Sequence, residues 1–198
     1  LQGHIGDVNP GNGTPWTGDA EKVSEAVYTA LHHAVNHSDH WAVSKMRVRT
    51  GAAEISFDLA RWNDQLARYK SNPEQCNQGE WVDAGFARDW YESASKRRAA
   101  RTLRSPISVL QLGDVGLLFH AAELYSFYGL KVRLDSPFAA TLLVGYADDF
   151  IGYLTDPKAY EAGEYAAIVV PKILDLPPFK PEAARQYSDA LLQLARKI

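Results

Sequence analysis

Histidines are concentrated in one short stretch, "HHAVNHSDH" at residues 32–40, which holds four of the six histidines in the chain. His33 and His37 are four residues apart, the spacing that places two side chains on one face of a helix. Such a pair could ligate zinc, which in catalytic sites uses three protein ligands and keeps one position open. The common helical zinc motif has a glutamate directly after the first histidine, whereas Ala34 stands there in this chain. The pattern therefore favours a polar helix end, where the helix dipole tolerates partly charged imidazoles.

A second candidate is the carboxylate of Glu123 in "LLFHAAELYSFYGL", residues 117–130. We expect a strand that ends near His120 and a short helix over about 122–130, so that Glu123 lies in the first helical turn. The helix dipole stabilises a carboxylate there, and the ends of buried strands are where sheet proteins form ligand crevices. A purely structural first-turn acid and a functional His120–Glu123 pair are both compatible with this pattern.

A third candidate is the segment "GYADDFIGYLTDPKAYEAGEY", residues 145–165, in which carboxylates and phenols follow a buried strand. The segment is either one wall of a site with phenol donors or a surface loop whose tyrosines pack by their ring faces. The side chains concerned are Asp148, Asp149, Tyr153, Tyr160 and Tyr165.

Hydrophobic periodicity predicts the elements that must position these residues. Apolar residues at helical spacing predict amphipathic helices, and alternation or continuous apolar runs predict strands. The predicted helices are about 20–37, 58–71, 82–101 and 181–197, and the predicted strands are 41–57 (one or two), 107–121 (two, turning at Gly113-Asp114) and 140–147, the last fully buried, with a loop over 148–166. This mixture predicts an α+β or α/β fold with mixed sheets flanked by helices, forming a single domain or part-domain over residues 1–198.

Composition excludes several classes of function. The chain has 198 residues, 46% of them hydrophobic, and a formal net charge of −3, so nothing favours nucleic acid as a partner. Its densest basic stretch, "SKRRAARTLR" at 95–104, is interpreted as a solvated helix face. Cys76 is the only cysteine, which rules out a disulfide framework and a cysteine metal cluster. No apolar run approaches the roughly 18 residues of a transmembrane segment.

The chain starts with "LQGHIGDVNPGNG", which has neither an initiator methionine nor the layout of a signal peptide. This stretch resembles the end of a strand that runs into a Gly/Asn/Pro loop. We therefore expect the chain to be the C-terminal part of a longer protein.

Three motifs occur in a distinctive order: "GDVNPG" at 6–11, "VLQLGDVGLLFHAAELYSFYGLKVR" at 109–133, and "SPFAATLLVGYADDFIGYLTDPKAY" at 136–160. This order resembles the catalytic domain of the neutral/alkaline non-lysosomal ceramidases, in particular the shorter bacterial ceramidase-like proteins. The resemblance covers residues 1–165 with a poorly matching middle, and it is most specific over 104–165. It implies that the chain corresponds to the C-terminal half of that domain.

The resemblance also implies a metal site. That family binds one zinc ion through two histidines, a glutamate and a tyrosine, and the last two fall on Glu123 and Tyr153. The two histidines belong to the N-terminal half of the domain and lie outside this chain. A further tyrosine, placed near the substrate amide, falls on Tyr165. The histidine cluster at 32–40 does not align with the family's ligands.

The loop that runs along the active site in that family corresponds here to Gly6, Asp7, Val8, Asn9 and Pro10. Ceramidases have a serine where this chain has Asn9, an amide that could orient substrate or water but could not act as a base. The family's Pro-Gly before the glutamate is replaced by Ala121-Ala122. The asparagine weakens the expectation of ceramide as substrate more than that of a hydrolase, and the Ala-Ala pair bears on the local backbone geometry before the glutamate.

The implied activity is zinc-dependent hydrolysis of an amide, such as an N-acyl lipid of sphingolipid metabolism, by a metal-activated water. The implied partners are a small-molecule or lipid amide substrate and the N-terminal half of the same domain. The implied location is secreted, periplasmic or at a membrane surface. Two alternatives remain open: a non-catalytic binding domain or fragment of the same fold, and a hydrolase of that fold that cleaves a non-lipid amide or ester.

Overall fold

The computed structural model describes residues 20–38, 43, 45–73 and 84–198. Within those ranges the chain forms eight helices and six strands, and the sequence predicted most of the longer ones. The helices are α1 (Ala20–Asn36), α2 (Leu59–Ser71), α3 (Ala84–Ala94), α4 (Ser126–Asp135), α5 (Pro157–Ala162), α6 (Tyr165–Ile168), α7 (Val170–Ile173) and α8 (Ala183–Ala195). The strands are β1 (Met46–Ser56), β2 (Thr102–Leu112), β3 (Val115–His120), β4 (Glu123–Leu124), β5 (Ala140–Val144) and β6 (Tyr153–Leu154).

The main sheet is mixed and has the strand order β1-β2-β3-β5. The first three strands are antiparallel neighbours, and β5 joins the edge of β3 in parallel. The predicted hairpin between β2 and β3 turns at Gly113, whose φ of 58° lies in the left-handed region that glycine enters without a steric penalty. Three antiparallel strands flanked by helices make this an α+β fold, one of the two predicted classes.

Helix α8 covers one face of the main sheet and builds the principal core. Its apolar side buries Tyr187 and Leu191 against Ile55 of β1 and Leu118 of β3. The Tyr187 phenol is satisfied inside this core, because it shares a hydrogen bond of 2.9 Å with the Ser105 hydroxyl. It also accepts a hydrogen bond of 3.2 Å from the backbone N–H of residue 121.

A smaller aromatic cluster joins α2 to α3. Trp62 and Trp90 meet edge to face with ring centroids 5.6 Å apart, and Tyr69 stacks on Tyr91 at 4.6 Å. Helix α2 begins at a capped end, where the Asp58 carboxylate accepts the backbone N–H of residue 61 at 3.0 Å.

The prediction of a helix over 82–101 was wrong at its C-terminal end. Helix α3 ends at Ala94 and β2 starts at Thr102, so the basic stretch 95–104 is not a helix face. Beyond the helix end, Arg97 is bonded to another segment: its guanidinium donates to the backbone oxygen of Asp175 at 2.9 Å and also pairs with the Asp175 carboxylate.

Two further predictions need correction. Strand β5 is not fully buried, because its burial alternates and Leu142 is 48% exposed on one face. Residues 148–166 are not a simple loop, because they contain β6 and α5. The Asp156 carboxylate starts α5 by accepting the N–H groups of Lys158 and Ala159 at 2.7 and 3.2 Å. Gly163 ends that helix in the left-handed conformation.

Helix α1 forms as predicted, but its apolar stripe is not covered by the described part of the chain. None of its residues is buried, and Leu31 and Val35 are 62% and 72% exposed. Within the described ranges, no helix combines the length and the apolar character needed to cross a membrane.

Candidate active site

Residues 145–153 are fastened to the segment that follows β3 by backbone hydrogen bonds. The Ala147 N–H donates to the carbonyl of His120 at 2.9 Å, and the Glu123 N–H donates to the carbonyl of Gly152 at 2.8 Å. These bonds bring the end of β5 and the start of β6 to the two sides of Glu123. The site is therefore built where two neighbouring parallel strands, β3 and β5, both end.

The sequence predicted Glu123 in the first turn of a helix, and this was wrong. Glu123 lies in the two-residue strand β4. Strand β4 pairs in parallel with β6, and Glu123 is directly opposite Tyr153. The helix cannot start at residue 122, because the N–H groups of Glu123 and Tyr125 are bonded to the carbonyls of Gly152 and Leu154 in β6. Helix α4 accordingly begins at Ser126.

The side chains of Glu123 and Tyr153 lie next to each other on the same side of this small sheet, because the two residues are directly opposite in a parallel pair. Glu123 is only 9% exposed. Burial raises the pKa of Tyr153 well above its usual value of 10, and the hydrogen bond and negative charge of Glu123 raise it further. The phenol of Tyr153 therefore keeps its proton and can donate a hydrogen bond to the Glu123 carboxylate.

Tyr146 supplies a second phenol to the same carboxylate, and sequence analysis missed it. Burial, followed by a side-chain hydrogen bond to Glu123, raises the pKa of Tyr146 to about 12. Tyr146 comes directly after the buried end of β5, so its place at the end of a strand was the signal that could have identified it.

Tyr165 stands at the start of α6, near enough to Tyr153 to contribute to the elevated pKa of that phenol. Tyr165 is 39% exposed. The four other predicted site residues, Gly6, Asp7, Asn9 and Pro10, lie outside the described residues.

The remaining candidates have structural roles in the described part of the chain. Tyr160 is buried, and Arg61 lies over its ring at 5.3 Å, as expected for a tyrosine that packs by its ring face. His120 is fully buried and meets Tyr187 edge to face at 6.2 Å. Leu124, the neighbour of Glu123, is fully buried in the core.

The histidine cluster has the geometry of a helix end. The rings of His33 and His37 stack with centroids 4.1 Å apart, and His37 Nδ1 is bonded to the backbone oxygen of His33 at 2.9 Å. His40 lies outside the described residues. In the ranges that the structure describes, no group of three or more His, Cys, Asp or Glu side chains could hold a metal ion.

The donor atoms at Glu123 nevertheless fit part of a zinc site. A carboxylate oxygen and a phenol oxygen are both hard donors, and zinc accepts carboxylate oxygen at about 2.0–2.2 Å. Two such groups would occupy two of four tetrahedral positions. The other ligands would have to come from outside the described residues.

No family model matches this sequence, and no curated protein matches it significantly. Among solved structures, it is similar to neutral ceramidase from Pseudomonas aeruginosa, with a TM-score of 0.56 and 13% sequence identity. That alignment covers 98% of this chain and 36% of the ceramidase chain. The fold is ceramidase-like.

A second structure, a ceramidase complexed with C2, aligns with 49% of this chain and 15% of its own, at a TM-score of 0.39 and 21% identity. The chain spans about a third of the length of the Pseudomonas ceramidase. The resemblance noted from the sequence is confirmed at the level of the fold.

Proposed function

We propose that this chain is part of a ceramidase-like, zinc-dependent hydrolase and that it contributes Glu123 and Tyr153 as two ligands of one zinc ion. The observation that supports this most directly is the pairing of the two residues directly opposite each other across β4 and β6, where Glu123 is buried. The two histidines needed to complete the ligand set would come from the N-terminal half of the same domain, outside this chain.

Zinc, when bound, supplies a Lewis acid that polarises a carbonyl and makes water nucleophilic at neutral pH. Glu123 provides the negative charge at the site, and its low exposure keeps that charge poorly screened by water. Like any tyrosine, Tyr153 holds its proton at neutral pH, and its raised pKa makes that proton harder to remove, as ligation through a phenolate requires.

Tyr165 and Asn9 would act on the substrate rather than on the metal. Tyr165, a partly exposed residue, would donate a hydrogen bond from its hydroxyl to an amide oxygen as negative charge develops on that oxygen. Asn9, in the loop that includes Gly6, Asp7 and Pro10, would orient the substrate or a water molecule through its amide.

Exposed aromatic rings beside the site favour a substrate with apolar chains. Phe150 is 43% exposed and Tyr146 is 40% exposed, and their rings stack at 5.5 Å. The similar Pseudomonas protein is described as a neutral ceramidase, and ceramide is an amide with long acyl chains. We therefore propose an N-acyl lipid as the substrate class.

The test uses the full-length protein that contains this chain. Release of fatty acid from an N-acylsphingosine in detergent micelles is compared with hydrolysis of a short, soluble N-acyl amide and of an ester. We expect zinc-dependent cleavage of the lipid amide, and Glu123→Gln should reduce it at least about 100-fold, because a ligand or its charge is lost. Glu54→Gln, an exposed glutamate of β1, is the matched control.

Each outcome has a separate meaning. Equal hydrolysis by Glu123→Gln and wild type would contradict the role of Glu123. Cleavage of only the soluble amide or the ester would identify a hydrolase of the same fold with a non-lipid substrate. A folded wild-type protein that contains no zinc and cleaves none of the three would support a non-catalytic binding domain instead.

A further inference from the structure

Tyr146 has an unusual backbone conformation for a tyrosine. Its φ is 56°, in the left-handed region that residues with a Cβ enter only at a cost in free energy. Such conformations persist where the surrounding structure requires them, and they concentrate at functional sites. This conformation directs the chain from the end of β5 into the loop that leads to β6.

The position of Tyr146 is restricted by the next residue in the chain, Ala147, and by the ring of Phe150. The next residue, Ala147, is bonded to the carbonyl of His120 at the end of β3. The ring of Tyr146 stacks on Phe150 with an interplanar angle of 21°. Phe150 itself is held by a hydrogen bond of 2.8 Å from its N–H to the Asp149 carboxylate.

Two phenols therefore converge on one carboxylate, from opposite ends of the same loop. Tyr153 lies opposite Glu123 in β6, whereas Tyr146 follows the end of β5, and both phenols are near enough to Glu123 for its carboxylate to raise their pKa. A carboxylate has two oxygens, and a ligand that binds a metal through one of them has the other free to accept a hydrogen bond.

We propose that Tyr146 is a positioning residue that fixes the orientation of the Glu123 carboxylate by donating a hydrogen bond to it. The inference rests on the proposed function and extends it to a residue outside the expected ligand set. When Tyr153 is used as a ligand, Tyr146 remains as the phenol that donates to Glu123. Partners of this kind typically change metal affinity or activity by about 10–100-fold when they are removed.

Tyr146→Phe tests this role, because it removes the hydroxyl and retains the ring that stacks on Phe150. The matched control is Tyr91→Phe, which removes the hydroxyl of another stacked tyrosine, one that packs on Tyr69 in the α2–α3 cluster. Both variants are made in the full-length protein. Thermal unfolding of the metal-free forms verifies that each variant retains the fold.

Zinc affinity is measured by competition with a chromophoric chelator, and the visible spectrum of the cobalt-substituted protein reports the ligand geometry. We expect Tyr146→Phe to bind zinc about 10–100-fold more weakly than wild type and to show an altered cobalt spectrum. Tyr91→Phe should match wild type in both measurements.

The failure of this inference can be distinguished from the failure of the proposed function. If wild type binds zinc and Tyr146→Phe gives the same affinity and cobalt spectrum, Tyr146 does not position Glu123 and only this inference is overturned. If wild type binds no zinc, the proposed function and the inference are overturned together. A Tyr91→Phe variant that weakens zinc binding as much as Tyr146→Phe would also overturn the specific role of Tyr146.

Discussion

Gly152 is the residue whose backbone joins the two halves of the candidate site. Its carbonyl accepts the N–H of Glu123, and the next residue is Tyr153. Its φ is 77°, and a Cβ at this position would lie 2.7 Å from Leu174 Cδ1 and 3.2 Å from Val170 Cγ1. Gly152→Ala therefore combines an unfavourable backbone conformation with steric overlap.

The expected size of the effect follows from these two contributions. The left-handed conformation costs a residue with a Cβ about 1–2 kcal/mol. Crowding in a packed region adds about 1–3 kcal/mol, at the lower end here because the closest atom is the end of a flexible leucine side chain. We expect Gly152→Ala to lower the free energy of unfolding by about 2–4 kcal/mol.

Gly163 provides a matched control. Its φ is 68°, close to that of Gly152, but an added Cβ would have no atom within 4 Å. Gly163→Ala should therefore cost only the conformational part, about 1–2 kcal/mol. The entropy that alanine removes from the unfolded chain is the same in both variants and cancels in the difference.

Equilibrium unfolding in urea measures both variants. Gly152→Ala should be less stable than Gly163→Ala by about 1–3 kcal/mol, and Leu174→Ala should reduce this difference when combined with Gly152→Ala, because the overlapping atom is removed. Equal destabilisation by the two glycine substitutions would refute the packing proposed around the site.

Three further predictions concern the core and the sheet. Tyr187→Phe should lower the free energy of unfolding by about 1–3 kcal/mol, because the buried N–H of Ala121 loses its acceptor. Urea unfolding measures this effect, with Tyr28→Phe on the exposed helix α1 as the control. An effect of Tyr187→Phe no larger than that of Tyr28→Phe would contradict the prediction. Gly116→Ala should lower the free energy of unfolding by about 2–3 kcal/mol, since the added Cβ would lie 2.0 Å from Phe138 Cδ2. Combining it with Phe138→Leu should recover part of that loss. If Gly116→Ala had no effect on stability, Phe138 would not cover β3. Burial raises the pKa of Tyr160 from 10 to about 12, so its proton is held more tightly in the folded state, and its contribution to stability is complete below pH 10 and lost as the pH rises towards 12. Urea unfolding across this range should give a shallower decline for Tyr160→Phe than for wild type, and parallel declines would contradict the burial of the phenol.

Much of the fold followed from local sequence patterns. Apolar residues at helical spacing predicted a helix over about 181–197, and α8 forms there and buries Tyr187 and Leu191. The Gly113-Asp114 pair predicted the β2–β3 hairpin, because a turn between alternating strands needs a residue that tolerates positive φ. These predictions succeeded because each depends on residues close together in the chain.

The details of the site depend on contacts between distant residues. Glu123 was predicted in a helix because the next residues have helical spacing, but β6 provides acceptors for the N–H groups of Glu123 and Tyr125. Tyr146 was missed because its approach to Glu123 requires a left-handed backbone conformation that a tyrosine seldom adopts. Neither feature can be derived from periodicity.

The central claim is that Glu123 and Tyr153 bind the same zinc ion, and an anomalous-difference map collected at the zinc edge from crystals of the full-length protein tests it most directly. We predict a single peak at about 2.0–2.2 Å from an oxygen of Glu123 and from the phenol oxygen of Tyr153, with two histidines completing the coordination. A zinc peak bound by other side chains, or no peak between these two residues in zinc-soaked crystals, would contradict the claim.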